Sequence, residues 1–322
     1  MAAEIRFPVM GSTAHVIVVG GHPSLPGRAR CRLHALERMW SRFIPDSEVS
    51  RLNAGAGRAI AVSPDTRLLV RRALEGHRFT GGRFDPTVLP AVIAAGYDRT
   101  FDSIDGTLIT GTPINGAPAT TAAVVLGPDG IEVDEGVGTV RLPFGVGFDP
   151  GGIGKGLAAD LVASELIELG ADGACVNVGG DLRVIGTAPD GDVWRVEVDD
   201  PSGGPRLGLV ALADGAVATS SRARRHWTAA DGTEHHHLIE PVTATSASTS
   251  VLAATVIASE GWRAEVLAKV AFLDGLSTSA SKGPRWLERL GVGALVVHDG
   301  GVVTNDRWRR FALAGPSEPQ AA

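Results

Sequence analysis

The most informative segment of the sequence is a glycine-rich run, FDPGGIGKG, at residues 148–156. It follows a predicted strand and leads into a predicted helix, so that Lys155 falls in the first helical turn. The N-terminus of a helix binds phosphate through unpaired backbone N–H groups, and glycines let the backbone approach an anion. The run is neither GxGxxG nor a Walker A loop, since Asp149 replaces the first glycine and Gly156 replaces the Ser or Thr that holds magnesium. The residues alone leave two interpretations open, a phosphate site and a plain turn with a solvated lysine.

Two other segments could bring side chains or backbone to a ligand. Gly82–Thr87 reads GRFDPT, in which Phe84 could stack on a planar ring and Asp85 could accept a hydrogen bond. An Asp-Pro turn that caps the following residues is the favoured alternative for this segment. Asn177–Asp181 reads NVGGD, and its glycine pair fits a close backbone approach to a ligand as well as an ordinary β-turn.

The histidines supply candidates for acid–base chemistry. His235 and His237 are two residues apart and would share one face of a strand, which suggests zinc. No third ligand stands at a metal-like spacing, so the better functional interpretation is a single histidine acting as a base, with surface histidines as the alternative. Glu265 and Lys269 are four residues apart in a predicted helix, which by itself indicates an ordinary surface ion pair.

Composition limits the classes of function. The 322 residues are 44% hydrophobic and 20% charged, which is ordinary globular usage and excludes a disordered chain or a coiled coil. A net charge of −6 argues against non-specific DNA binding, and we expect no nucleic-acid partner. Cys31 and Cys175 stand far apart and are expected to be reduced. No signal peptide or apolar run of transmembrane length is evident, so we expect a cytoplasmic protein with no transmembrane segment.

The elements that must position these residues can be predicted from periodicity. Helices are predicted over 25–43, 64–79, 154–169, 261–272 and 284–290. Strands are predicted over 14–19, 122–126, 131–133, 139–142, 174–178, 182–186, 193–198, 207–212, 216–219, 251–257, 293–297 and 301–304. The elements alternate irregularly, which favours an α+β fold with mixed or antiparallel sheets and flanking helices over a doubly wound sheet.

Taken in order, the segments resemble the FAD:protein FMN transferase (ApbE) family over about residues 5 to 300. The family pattern S-x-[FY]-x-P-x-S-x-[LIV]-S-x-[LF]-N is matched almost completely by residues 41–53, SRFIPDSEVSRLN. The other matches are Met10-Gly11, G-x-FDPTV at 82–88, DLGGIAKG at 149–156 with Pro150 for Leu and Gly154 for Ala, NxGGD at 177–181 and a TSG-type turn at 219–221. HIIDPRTG at 237–244 is matched less well, with Glu240 for Asp, Val242 for Arg and Ala244 for Gly. Such a colinear series is not expected by chance.

The resemblance implies a T-fold-like architecture that is not a Rossmann fold, in one domain over residues 1–314. A loop-rich insertion is expected at about 97–118 and a disordered tail at 315–322. The resemblance also implies that FAD is the substrate, with magnesium on its pyrophosphate, and that FMN is moved onto a Thr or Ser hydroxyl of a target flavoprotein with release of AMP. His237 would be the base, and Lys155 would face the phosphates. The FAD site would be lined by Met10, Phe43, Arg83, Phe84, Asp85, Asp149 and Lys155.

The sequence departs from the family pattern where the metal should bind. The family combines a backbone carbonyl, here that of Gly152, with an Asp and a Thr on a late helix, and these two positions hold Glu265 and Lys269. Glu can ligate magnesium, but a charged Lys cannot. Either Lys269 occupies the place of the cation and contacts the pyrophosphate, or catalysis is lost. Two alternatives to transfer therefore stay open: an FAD-binding protein with a sequestering or regulatory role, and a hydrolase that forms FMN and AMP.

Overall fold

The structure is a computed structural model that describes residues 1–100, 124–201, 203–223, 225–228, 232–274 and 285–313. The helices are α1 (Leu25–Trp40), α2 (Glu48–Ala54), α3 (Pro64–Phe79), α4 (Leu89–Ala94), α5 (Gly154–Glu168), α6 (Gly261–Leu273), α7 (Arg285–Arg289) and α8 (Asp306–Arg309). The strands are β1 (Ala2–Val9), β2 (Ser12–Val19), β3 (Ala59–Ala61), β4 (Glu132–Asp134), β5 (Thr139–Arg141), β6 (Gly173–Val178), β7 (Asp181–Gly186), β8 (Trp194–Val198), β9 (Gly208–Leu212), β10 (Gly215–Ser221), β11 (His226–Thr228), β12 (Glu234–His236), β13 (Ile239–Glu240), β14 (Thr245–Ser246), β15 (Val251–Ala258), β16 (Gly293–His298) and β17 (Gly301–Thr304). Within these ranges, no helix combines the length and the apolar character that a membrane crossing requires.

The centre of the fold is an eight-stranded sheet in the order β1-β2-β6-β7-β10-β15-β16-β17. Every pair of neighbours in this sheet is antiparallel. Both faces are covered, as the alternation along β6 shows: Val176 packs with the helices, whereas Cys175 packs with the β8–β9 ribbon. The α+β fold with antiparallel sheets and flanking helices is therefore confirmed.

Helices α1, α5 and α6 pack against the sheet and carry or flank the candidate residues. The apolar side chains of α1 recur every three or four residues and are buried, namely Leu25, Ala29, Leu33, Leu36 and Trp40. The buried residues of α5 are not confined to one face of the helix, because α5 packs against β6, β7, α1 and α6. The sheet and the neighbouring helices thus fix the N-terminus of α5, where Lys155 lies.

Helices α5 and α6 touch backbone to backbone at two glycines. A Cβ atom on Gly156 would lie 2.3 Å from the carbonyl oxygen of Gly261, and one on Gly261 would lie 2.5 Å from the carbonyl oxygen of Gly156. No side chain fits at either position without moving a helix. This contact holds Lys155 of α5 near Glu265 of α6.

Two predicted elements differ in the structure. The helix expected over 25–43 ends at Trp40, because Ser41 is extended and its carbonyl accepts a hydrogen bond from Ser47 Oγ at 2.6 Å. The strand expected over 122–126 is wrong for residues 124–126, which form no strand and leave Val124 exposed. Residues 101–118 of the expected insertion and the expected tail at 315–322 lie outside the described residues.

Candidate active site

A cleft of about 450 Å³ opens between the β1–β2 turn, the end of α1, the glycine-rich turn and α6. Most of the predicted site residues line it: Met10, Phe43, Asp149, Lys155, His237, Glu265 and Lys269. Met10 is held there by its own backbone, which has a left-handed φ of 53° and donates its N–H to Glu37 Oε1 at 2.6 Å. Segments distant in the sequence therefore converge on one cavity.

The glycine-rich turn is fixed from several directions. The Asn53 side chain, at the end of α2, forms hydrogen bonds to both the N–H and the carbonyl of Phe148, at 2.7 and 3.0 Å. Asp149 Oδ1 accepts a hydrogen bond from the N–H of Gly151 at 2.9 Å. The ring of Phe84 lies directly beneath Gly152, where a Cβ would be 3.0 Å from its Cε2 atom. The turn is thus held by contacts within the chain, and the 41–53 and 82–88 segments support it.

Lys155 lies at the start of α5, where the N-cap residue Ile153 provides no side-chain hydrogen bond. Its ammonium donates to Asp181 Oδ2 and lies 3.9 Å from Glu265 Oε1. Burial opposes the positive charge, but the two carboxylates outweigh it and raise the pKa of Lys155. Lys155 is therefore a fixed cation at a helix N-terminus, as a phosphate site requires.

Lys269 reaches from α6 to the glycine-rich turn. A Cβ on Gly152 would lie only 2.5 Å from Lys269 Nζ, so the ammonium rests against this glycine. Burial lowers the pKa of Lys269, and the negative charges of Asp149 and Glu265 counter the effect only in part. Lys269 thus lies in the cleft, and the surface ion pair that its spacing from Glu265 indicated is wrong.

The ring of His237 is oriented by a backbone carbonyl. Its Nδ1 lies 3.3 Å from the carbonyl oxygen of Arg225, which favours the tautomer with the proton on Nδ1 and a free lone pair on Nε2. Burial, followed by the positive charges of Arg225 and Lys269, lowers the pKa of His237 well below 6.5. The imidazole is therefore neutral near pH 7 and can accept a proton.

Arg42 is a cleft residue that the sequence analysis did not single out. Its guanidinium stacks 4.1 Å from the ring centre of Phe43 and 4.5 Å from that of Tyr97. Its side chain is only 8% exposed, and Nη2 is buried without a hydrogen-bond partner among the described residues. A buried donor without a partner is costly, so Nη2 is a candidate contact for a polar atom of a ligand. The only indication in the sequence that Arg42 contributes to the site was its position within the 41–53 motif.

Three residues expected in the FAD site do not line the cleft. Arg83 is largely exposed and pairs with Asp274 at 2.7 Å. Phe84 is 1% exposed and packs under the glycine-rich turn. Asp85 Oδ1 accepts hydrogen bonds from the N–H and the hydroxyl of Thr87 at 2.7 and 2.5 Å, which is the turn-capping alternative. Of the three, only Phe84 contacts the glycine-rich turn, which it supports from beneath.

The structure separates the two histidines that suggested zinc. Strand β12 ends at His236, so His235 and His237 do not share a strand face. His235 stacks on Trp227 and lines a different cavity from the one that holds His237. A zinc site built on this pair is therefore excluded by geometry.

The residues expected to hold magnesium do not fit a divalent cation. Glu265 Oε2 accepts a hydrogen bond from the N–H of Gly156 at 2.7 Å, and Oε1 faces Lys155. Lys269 brings an ammonium to Gly152, whose carbonyl was the third expected ligand. Within the described part of the chain, no group of three or more His, Cys, Asp or Glu side chains is arranged to hold a metal ion. The expected ligands Glu265 and Gly152 therefore already have the ammonium groups of Lys155 and Lys269 beside them.

Comparison with known proteins relates this chain to flavin transferases. A family model described as the ApbE family matches residues 10–296. An FAD:protein FMN transferase of Vibrio cholerae is 27% identical over 262 residues, which cover 78% of this chain and 75% of the relative. One of Treponema pallidum is 28% identical over 296 residues, covering 85% of this chain and 79% of the relative.

Solved structures share the fold. The ApbE protein of Thermotoga maritima superposes with a TM-score of 0.81 at 23% identity, covering 98% of this chain and 100% of that one. The apo flavinyl transferase ApbE of Pseudomonas stutzeri gives 0.79 at 24% identity, covering 98% of each chain. The antiparallel sheet with flanking helices is therefore common to these proteins.

Proposed function

The chain belongs to the ApbE family, and on this premise we propose that it is an FAD:protein FMN transferase. It moves FMN from FAD onto a Thr or Ser hydroxyl of a target flavoprotein and releases AMP. The observation that carries the proposal is the convergence of a helix N-terminus, the Lys155 ammonium and a neutral His237 on one cleft. These groups supply the two requirements of phosphoryl transfer, neutralisation of phosphate charge and a base for the nucleophile.

The reaction exchanges one P–O bond for another. The acceptor hydroxyl oxygen attacks the phosphorus attached to riboflavin, and the bond from that phosphorus to the oxygen shared with the adenosine phosphate breaks. AMP leaves with this oxygen, and FMN stays on the acceptor as a phosphodiester. The hydroxyl proton passes to His237 Nε2, whose lone pair is free because Nδ1 faces the Arg225 carbonyl. Lys155 offsets the charge on the phosphates, and the 148–156 turn positions them.

The test is a transfer assay with FAD and an acceptor domain from a flavoprotein that the Vibrio cholerae relative modifies. We expect covalent flavin fluorescence on the acceptor and one AMP for each flavin transferred, and no label on an acceptor whose target Thr is replaced by Ala. AMP with free FMN would favour hydrolysis. FAD binding without AMP would favour a sequestering or regulatory protein. Either result with an otherwise competent acceptor contradicts the proposal.

His237→Gln tests the assigned base. Loss of a general base typically slows a reaction by about 10²- to 10⁴-fold, and we expect a decrease of this size in the single-turnover transfer rate. FAD binding should change little, because the imidazole is assigned to the acceptor hydroxyl. In the wild-type protein, NMR titration should find the His237 ring still neutral at pH 6.5, since its pKa lies well below that value. A ring that titrates above pH 6.5, or a variant with undiminished transfer, contradicts the assignment.

A further inference from the structure

We propose that the Lys269 ammonium takes the place of a divalent cation on the pyrophosphate of FAD, so that FMN transfer by this protein needs no metal ion. The inference rests on the proposed function, because it concerns how the same cleft holds the same substrate. It is carried by three independent observations: the space that Lys269 fills, the engagement of Glu265, and the charge of the cleft.

The first observation is steric. Lys269 Nζ and Cε would lie 2.5 and 2.8 Å from a Cβ at Gly152, closer than real Cβ contacts come. The ammonium therefore fills the space beside the glycine-rich turn, and this space exists only because Gly152 has no side chain. A divalent cation at the Gly152 carbonyl would have to lie beside this ammonium, and the two positive charges would repel each other.

The second observation is the state of Glu265, whose side chain is 6% exposed. Its Oε2 atom caps α5 by accepting the N–H of Gly156 at 2.7 Å. Its Oε1 atom lies 3.9 Å from Lys155 Nζ. If Glu265 bound a metal ion instead, the buried N–H of Gly156 would lose its acceptor and Lys155 would lose a neighbouring negative charge. Glu265 therefore acts here as a helix cap and a counter-charge.

The third observation is the balance of charge. The described residues that line the cleft include four cations, Arg42, Lys155, Arg225 and Lys269, against three carboxylates, Glu37, Asp149 and Glu265. Asp181 adds one further carboxylate but is paired with Lys155. Magnesium sites use carboxylates that are free to face the ion. With Asp181 included, the four cations balance the four carboxylates, so the cleft has no excess of negative charge to attract a divalent cation.

An ammonium can supply part of what a metal ion would. It is a compact point charge with three donors, which can contact non-bridging phosphate oxygens and stabilise the charge that develops on the departing AMP. The negative charge of the arriving pyrophosphate favours the protonated amine. Lys155 and Lys269 would then both contact the pyrophosphate, one from α5 and the other from α6.

The experiment measures FAD affinity by fluorescence quenching and transfer by single turnover, each with excess EDTA and with millimolar Mg²⁺. For the wild-type protein we expect both quantities to agree within about twofold between the two conditions. Lys269→Met should weaken FAD binding by about 10- to 100-fold in both, as expected for lost charge-assisted hydrogen bonds. Arg195→Met, which removes an exposed cation on β8, should have no effect.

Lys269→Thr separates a replaced cation from a merely structural lysine. It removes the ammonium beside Gly152 and leaves a hydroxyl, so that Mg²⁺ can enter with this hydroxyl and water as ligands while Glu265 stays in place. We expect FAD binding and transfer to be weak in EDTA and to be restored in part by millimolar Mg²⁺. Wild-type FAD binding that requires Mg²⁺ overturns the proposal, as does a Lys269→Met variant that folds and binds FAD normally. Because affinity is measured separately, a wild-type protein that binds FAD in EDTA but never labels an acceptor would contradict the proposed function, while the role of Lys269 in holding the pyrophosphate would still be supported.

Discussion

Lys155→Met should weaken FAD binding by about 10- to 100-fold and slow FMN transfer at least as much, because it removes a fixed cation from the phosphate site. The substitution also leaves Asp181 without its partner, and the side chain of Asp181 is only 3% exposed. An unpaired buried charge typically costs about 3–5 kcal/mol of folding free energy. Isothermal calorimetry with FAD and urea denaturation would measure the two effects separately.

A double variant distinguishes the loss of the phosphate contact from the loss of stability. Lys155→Met with Asp181→Asn removes both charges, and the amide oxygen of Asn can still accept the N–H of Thr219, which lies 3.3 Å from Asp181 Oδ1. We expect most of the stability to return while FAD binding stays weak. Recovery of normal FAD affinity in the double variant would mean that Lys155 serves only to neutralise Asp181.

Arg83→Met is the matched control for removal of a cation from a family motif. The resemblance placed Arg83 in the FAD site, whereas the structure pairs it with Asp274 on the surface. Exposed ion pairs contribute at most about 1 kcal/mol. We therefore expect FAD affinity within about twofold of the wild-type value, and a loss as large as that of Lys155→Met would show that Arg83 reaches the substrate.

Gly156→Ala should lower the free energy of unfolding by about 1–3 kcal/mol, although alanine favours a helix more than glycine does. The added methyl would lie 2.3 Å from the Gly261 carbonyl oxygen and 2.8 Å from the Trp262 nitrogen, so α5 and α6 must move apart. The movement would also separate Lys155 from Glu265 and weaken FAD binding. Urea denaturation and FAD titration of the same sample would test both consequences.

The matched control lies two residues earlier on the same helix. A Cβ on Gly154 would have Pro150 Cβ as its nearest neighbour, at an ordinary contact distance of 3.5 Å. We expect Gly154→Ala to leave stability unchanged or to increase it by up to about 1 kcal/mol. Equal losses of stability in the two variants would contradict the role assigned to the helix contact.

The sequence predicted best those elements whose periodicity spans several turns. Helices α1, α3, α5 and α6 begin within one residue of prediction, because a long amphipathic or apolar repeat leaves few alternatives. Helix α2 was missed because its seven residues, Glu48–Ala54, hold too few apolar positions for a period. Strand β1 was missed because it is an edge strand with mostly exposed side chains, and its pairing with β2 is a long-range property.

The candidate site shows a similar division. Lys155, His237 and the glycine-rich turn come together in one cleft, as the order of the motifs predicted, while their roles stay predictions. Phe84 and Asp85 belong to an equally clear motif, yet Phe84 supports the turn from beneath and Asp85 caps its own loop at Thr87. A motif alone does not distinguish such structural roles from contact with a ligand. The position of Lys269 against Gly152 depends on the packing of α5 on α6, which no local pattern encodes.

The most direct test of the account is a crystal structure of the wild-type protein with FAD, grown in EDTA. We predict that the pyrophosphate lies on the glycine-rich turn, with its oxygens within hydrogen-bond distance of Lys155 Nζ and Lys269 Nζ. Phosphates that bind elsewhere would contradict this prediction, as would FAD that enters the cleft only after a metal ion is added and has displaced Lys269 from Gly152.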